Sequence, residues 1–212
     1  MISVKAIIFD MDGVIVDNQQ YHLKAWEVFC GKQGFAFDIK TFSQKFFGKS
    51  NFEILNSLSP VELSMEETLK LGEEKEVIYR DLYINEIVPL NGLIAFLKKI
   101  KASDKRVAIA SSAPISNINF VLDNLQIRQY FEAIVDVSMV KRSKPDPEIY
   151  LKAASLLNTK PSDCLVFEDS HSGIKAALAA GMNVIAITTT HTSEELNYNL
   201  LKVNNFEELT FN

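Results

Sequence analysis

Only two cysteines occur in the 212 residues, Cys30 and Cys164, and they lie far apart in apolar neighbourhoods. A disulfide-stapled secreted scaffold needs more than that, so both read as buried free thiols of a protein in the reducing cytoplasm. Positive charge is also scarce. The 22 Lys and Arg face 27 Asp and Glu, the net charge is −5, and no long basic run occurs. Nucleic acid is therefore not an expected partner. No stretch approaches the ~20 apolar residues that span a bilayer, so neither is a membrane. The segment MISVKAIIFD is apolar but short, lacks a small-residue cleavage site and runs straight into an acidic motif. It reads as a strand, not a signal peptide. Internal repeats and low-complexity tracts are missing as well. What the chain does have is a 47% hydrophobic fraction, ample for one α/β domain or for one domain carrying a smaller insert. Nothing in it demands a second copy, so a monomer is expected.

Val4–Phe9 (VKAIIF) is a short run with β-branched residues that ends on Asp10, with Gly13 supplying turn chemistry just beyond. Three later segments repeat the design of an apolar run that turns polar at its C-terminal end: RVAIASS (106–112), CLVFEDS (164–170) and NVIAITTT (183–190). EAIVDVS (132–138) is a weaker fourth. Continuous apolar strands of this kind belong to a sheet covered on both faces. Helical patterns separate them. NGLIAFLKKIKAS (91–103) has Asn91 placed to cap, and NINFVLDNL (117–125) follows. DPEIYLKAASLL (146–157) offers Asp146 as N-cap and Pro147 at the first helical position, and GIKAALAAG (173–181) ends on Gly181. Alternating strands and helices predict a Rossmann-like parallel α/β core with helices on both faces. Residues 18–86 break the rhythm with helical patterns only, among them a capping-box spacing at Ser64 and Glu67. They read as an inserted α-helical cap domain, with residues 1–17 and 87–212 forming the core.

Ligands of open parallel sheets bind beyond the carboxyl ends of the strands. At those ends stand Asp10 and Asp12, Ser111 and Ser112, and Glu168 and Asp169, while Lys144 precedes the DPEIY helix. Residues i and i+2 of an extended segment point to one side, so Asp10 and Asp12 can address one atom while Met11 turns into the core.

The set DMDGVIVD, ASSAP, SKPDPEIY and FEDSHSGIKAALAAGM resembles the haloacid dehalogenase superfamily in order and spacing, and within it the β-phosphoglucomutase-like branch with a helical first-type cap. The resemblance covers essentially the whole chain. It implies that Asp10 is a nucleophile forming an aspartyl-phosphate, and that Asp12 protonates the leaving alcohol and later takes a proton from water. Dehalogenases of the superfamily lack an aspartate at the second position, so Asp12 argues against dehalogenation. Ser111, favoured over Ser112 as the first polar residue after VAIA, would hold a phosphate oxygen. Lys144 would neutralise charge on Asp10 and on the phosphoryl group. Four carboxylates against one lysine leave an excess of three negative charges before any phosphate arrives. With only oxygen donors in these motifs, the implied cofactor is Mg²⁺, not zinc. It would be held by Asp10, the Asp12 carbonyl and Asp169, with Glu168 directly or indirectly involved.

Substrate contacts are expected from His22, Lys49, Asn51 and Lys75 in the insert, and from Ser112 and Asn117 after the second core strand. Trp26 reads as cap core, and His171 and His191 as ordinary surface or loop residues. The mutases of the branch carry an arginine for a second phosphate where this chain has Asn51, with Lys49 two residues away, and Ala113 replaces a polar neighbour of Ser111. Losing a bidentate clamp weakens the grip on a doubly phosphorylated sugar. The favoured reading is hydrolysis of a small phosphorylated metabolite, such as a sugar phosphate. A β-phosphoglucomutase is the alternative. A non-catalytic binding module of the same fold predicts an eroded catalytic position, and none is eroded.

Overall fold

The computed structural model describes residues 4–46 and 49–209. The chain divides into two compact units, one made of Met1–Asp17 and Val88–Asn212, the other of Asn18–Ile87.

The first unit is built on six parallel strands: β1 (Ala6–Phe9), β2 (Arg106–Ala110), β3 (Ala133–Val135), β4 (Cys164–Glu168), β5 (Asn183–Ile187) and β6 (Leu201–Val203). Their order is β3-β2-β1-β4-β5-β6. Each residue of β1 is buried, as the apolar run predicts for a central strand covered on both faces. The period of two divides the side chains cleanly. Ala6, Ile8, Ala108, Ala110, Val166 and Val184 share one cluster with Ile149, Tyr150 and Ala153 of α7 (Glu148–Leu156) and Ile174 and Ala177 of α8 (His171–Ala179). The alternate residues carry an aromatic group: Phe9 and Phe167, opposite each other in register, stack at 5.2 Å and meet Phe96 of α5 (Leu93–Lys101) and Phe206. Burying each such ring contributes about 1.5–3 kcal/mol.

From β1 the chain adds β2 and β3 on one side, then crosses to β4 on the other side of β1. The order reverses between β1 and β4, and it is there that a doubly wound sheet opens a crevice at its carboxyl edge.

The other unit contains α1 (Gln19–Gln33), α2 (Ile39–Phe46), α3 (Asn51–Leu58) and α4 (Met65–Tyr83), with no strand among the described residues. Trp26, Phe29, Cys30, Phe42, Ile54 and Leu55 form its apolar core. Ser64 and Glu67 make the capping box that the sequence predicts, and Ser50 and Glu53 make a second one at the start of α3. Both cysteines are buried and free, and burial pushes each thiol up to about 11. No helix among the described residues is long and apolar enough to cross a membrane.

Two local expectations need correction, and one strand goes beyond them. Asn91 does not cap α5; Gly92 holds that position at φ 78°, where a Cβ would lie 2.5 Å from the Glu207 backbone nitrogen. Only glycine fits so close an approach. Asp146 acts one position earlier than expected: α7 starts at Glu148 with Pro147 at its cap, and the Asp146 carboxylate accepts from the Glu148 N–H at 3.0 Å. Strand β6 was not signalled, because it is a three-residue edge strand with one buried residue.

Candidate active site

Each polar group at the carboxyl edge is placed by the strand before it. The Asp10 N–H donates to the Phe167 carbonyl at 3.0 Å, extending the β1–β4 ladder by one residue. Ser111 does the same beside β3, donating to the Val135 carbonyl at 3.0 Å. Glu168 is the last residue of β4, and Asp169 follows it. Lys144 arrives from the loop before α7. Its ammonium donates to Asp10 Oδ1 at 2.6 Å, to Glu168 Oε1 at 2.7 Å and to the Ala110 carbonyl at 3.4 Å. Segments more than a hundred residues apart thus meet at one atom, and Asp10, Lys144, Glu168 and Asp169 are all buried.

The two oxygens of Glu168 are fully engaged. Oε1 accepts from Lys144 and from the Tyr150 hydroxyl at 3.0 Å, and Oε2 accepts from the Asp169 N–H, the Ser170 N–H and Ser170 Oγ at 2.8, 2.8 and 2.9 Å. Burial alone would raise its pKa, but the Lys144 charge and these donors hold it below the usual carboxylate value. Asp10 goes the other way: burial outweighs Lys144, the charges of Glu168 and Asp12 add to it, and its carboxyl is pushed up to about 7. Burial, with the charges of Glu168 and Asp10, also raises Asp169 well above the usual carboxylate value.

Three buried carboxyl groups, Asp10, Glu168 and Asp169, thus stand around one lysine. Carboxylate oxygens of Asp10, Glu168 and Asp169 lie within 4.8 Å of one another, so the residues present fit a divalent cation. The donors are all oxygen, which suits a hard ion. Asp12 is partly exposed beside this group. Ser111 is buried, and its Oγ accepts from the Ala113 N–H at 3.1 Å, which leaves the hydroxyl proton available. Thr190 donates to Asp169 Oδ2, and Thr189 donates to the Gly13 carbonyl at 2.6 Å, tying the β5 loop to both acidic turns.

In the helical unit, three of the expected residues gather. Lys75, 1% exposed, meets His22 Nδ1 at 2.8 Å and Glu76 Oε1 at 3.0 Å, with its ammonium 5.1 Å from the Trp26 ring. Asn51 Nδ2 donates to the same Glu76 oxygen at 2.6 Å. Trp26 is indeed core. Lys49 stands apart, exposed, with its ammonium 5.6 Å from the Phe46 ring. Ser112 is half-buried after β2, while Asn117, in the first turn of α6 (Ile115–Asn124), is fully closed to solvent. His171, at the start of α8, and His191, in the loop after β5, are both half-buried. Their rings meet at 4.8 Å, and His191 Nδ1 lies 3.2 Å from the Asp169 carbonyl. Sequence reasoning missed Tyr150, Ser170 and Thr190. Tyr150 follows the helical apolar period and looks like core, and only its hydroxyl hints at a buried partner.

A family model described as haloacid dehalogenase-like hydrolase matches residues 7–187. A β-phosphoglucomutase of Bacillus subtilis is 33% identical over 192 residues, covering 87% of this chain and 83% of that protein. A fructose-1-phosphate phosphatase of Escherichia coli is 30% identical over 181 residues, covering 85% and 95%. Among solved structures, a β-phosphoglucomutase from Clostridium difficile superposes with a TM-score of 0.86 at 32% identity, covering 98% of this chain and 94% of that one.

Proposed function

The chain belongs to the haloacid dehalogenase-like hydrolases, and from that premise we propose that it is a Mg²⁺-dependent phosphatase acting on a small phosphorylated metabolite, a sugar phosphate above all. The observation that carries this reading is the meeting of Asp10, Lys144 and Glu168 at 2.6 and 2.7 Å, with Asp169 beside them, at the sheet's switch point.

Asp10 attacks phosphorus. Its carboxylate oxygen forms the new P–O bond while the bond to the substrate's alkoxide breaks, and Asp12 delivers a proton to that alkoxide. Water then attacks the aspartyl-phosphate, Asp12 takes the water proton, and inorganic phosphate leaves with Asp10 restored. Lys144, pinned to Asp10, counters charge on both the carboxylate and the transferring group, and Ser111 donates to a phosphoryl oxygen. Asp10, the Asp12 carbonyl and Asp169 would hold Mg²⁺, which would supply positive charge against the buried carboxylates and the phosphate. Substrate choice is assigned to the helical unit, which acts as the cap and gathers His22, Asn51 and Lys75.

A mutase is the second reading, and the Bacillus subtilis relative favours it. Against it, Asn51 stands where a cationic clamp for a second phosphate is expected, and its amide is committed to Glu76. A phosphate-release screen over hexose and pentose phosphates with Mg²⁺, beside a coupled assay for conversion of β-glucose-1-phosphate to glucose-6-phosphate, separates the two. Stoichiometric phosphate supports hydrolysis; isomer conversion with little free phosphate overturns it. Chelation should abolish turnover and Mg²⁺ restore it. Asp10→Asn should lower kcat by at least about a thousandfold, and equal rates would leave only a binding module.

A further inference from the structure

The ammonium of Lys144 has three N–H donors, directed to Asp10, Glu168 and the Ala110 carbonyl. The Tyr150 ring also faces this ammonium, its centroid 4.8 Å from the nitrogen. The hydroxyl of the same tyrosine donates to the Glu168 oxygen that receives Lys144. One side chain therefore touches both members of the ion pair, with its π-face toward the cation and its O–H toward the anion. Tyr150 is fully buried, so neither contact competes with water.

We propose that Tyr150 is a positioning residue for the phosphoryl-transfer chemistry: it fixes Glu168 and supports Lys144, so that the ammonium is held on Asp10. The inference rests on the phosphatase reading for its kinetic consequence, but the lock itself does not depend on it. Three features argue for a lock over incidental packing. First, Glu168 Oε2 is already saturated by Asp169 and Ser170 donors, so the Tyr150 hydroxyl and Lys144 alone orient Oε1. Second, Tyr150 lies on α7, six residues beyond Lys144, and the loop that carries the lysine runs directly into that helix. Third, α8 closes the far side: a Cβ on Gly173 would lie 1.5 Å from Glu168 Oε1, leaving no room for the carboxylate to swing.

Tyr150→Phe keeps the ring and removes the hydroxyl. Losing a hydrogen bond to a charged group predicts a kcat about tenfold lower with KM within about twofold. Tyr150→Leu, which loses both contacts, should fall further. The decisive measurement is the double-mutant cycle. In a Glu168→Gln background, Tyr150→Phe should lower kcat by less than about twofold, because the two act as a unit. A readout independent of turnover is the ¹⁵N ammonium resonance of Lys144 in the folded enzyme. It should shift or broaden in Tyr150→Phe while the thermal midpoint shows the variant folded. An unchanged kcat and an unchanged resonance overturn the proposal, as does a full tenfold loss persisting in the Glu168→Gln background. If the parent enzyme hydrolyses no phosphomonoester, the phosphatase reading fails, and the ammonium resonance still decides whether the lock exists.

Discussion

Two glycines stand where the acidic turns converge, and each is there because a side chain is elsewhere. Gly13 sits at φ 77°, and a Cβ on it would come within 2.0 Å of Asp169 Oδ2; on Gly173 the same atom would overlap Glu168. The backbone of α8 lies so close to the Glu168 carboxylate that the first helical turn forms one wall of the site. Gly173→Ala must therefore displace Glu168, Lys144 or the helix itself. Overpacking of this kind costs about 1–3 kcal/mol, so a lower thermal midpoint is expected together with a kcat loss at least as large as that of Tyr150→Phe. A variant with parental kcat would show that Glu168 moves without consequence. Sequence alone points to Asp10, Lys144, Glu168 and Asp169, because the three acids end or follow apolar runs, Lys144 precedes the DPEIY helix, and the four motifs occur in a recognisable order. Tyr150 and Ser170 were not legible. Tyr150 occupies a core position of an amphipathic helix, Ser170 looks like a plain N-cap, which it also is, and their contacts with Glu168 exist only after α7 and β4 pack.

At the scale of elements, what is legible is what is local. The spacing of Ser64 and Glu67 is a complete instruction, and the box forms with Glu67 Oε2 accepting from the Ser64 N–H at 2.8 Å and Ser64 Oγ accepting from the Glu67 N–H at 3.2 Å. Its hydrogen bonds lower the pKa of Glu67, although that side chain is open to solvent. Ser64→Ala should destabilise the protein by about 1 kcal/mol. The loss belongs to α4, so chemical denaturation should show it while the kcat of Mg²⁺-dependent hydrolysis stays within about twofold. Any large fall in kcat would mean that the first turn of α4 reports to the catalytic centre. Elements whose existence depends on a distant partner are harder to read. β3 and β6 have three residues each, and pairing with β2 and β5 is what makes them strands. Asn91 is a good cap by type, yet Gly92 holds the position because Glu207, over a hundred residues later, packs against it.

For the whole molecule, the sequence reveals that strands and helices alternate and that one stretch does not, but not which strand lies beside which. The β3-β2-β1-β4-β5-β6 order, and with it the switch point that gathers the carboxylates, follows from crossover handedness and packing. One backbone bond makes the insertion intelligible: the Leu90 N–H donates to the Ile15 carbonyl at 2.9 Å, so the chain leaves and re-enters the core unit at one place. The core does not need residues 18–87 to hold those ends together. Replacing that segment by a few Gly and Ser residues, at about 3.3–3.6 Å each, should leave an α/β unit that unfolds cooperatively by circular dichroism. Such a core keeps both sheet-face clusters, because their members lie outside 18–87. If the helical unit chooses the substrate, the shortened enzyme should hydrolyse different sugar phosphates at similar, low rates, and Asp10→Asn should still remove what remains. Selectivity retained without the helices would move substrate recognition to the sheet edge, and a core that melts without cooperativity would mean that the inserted helices also stabilise it.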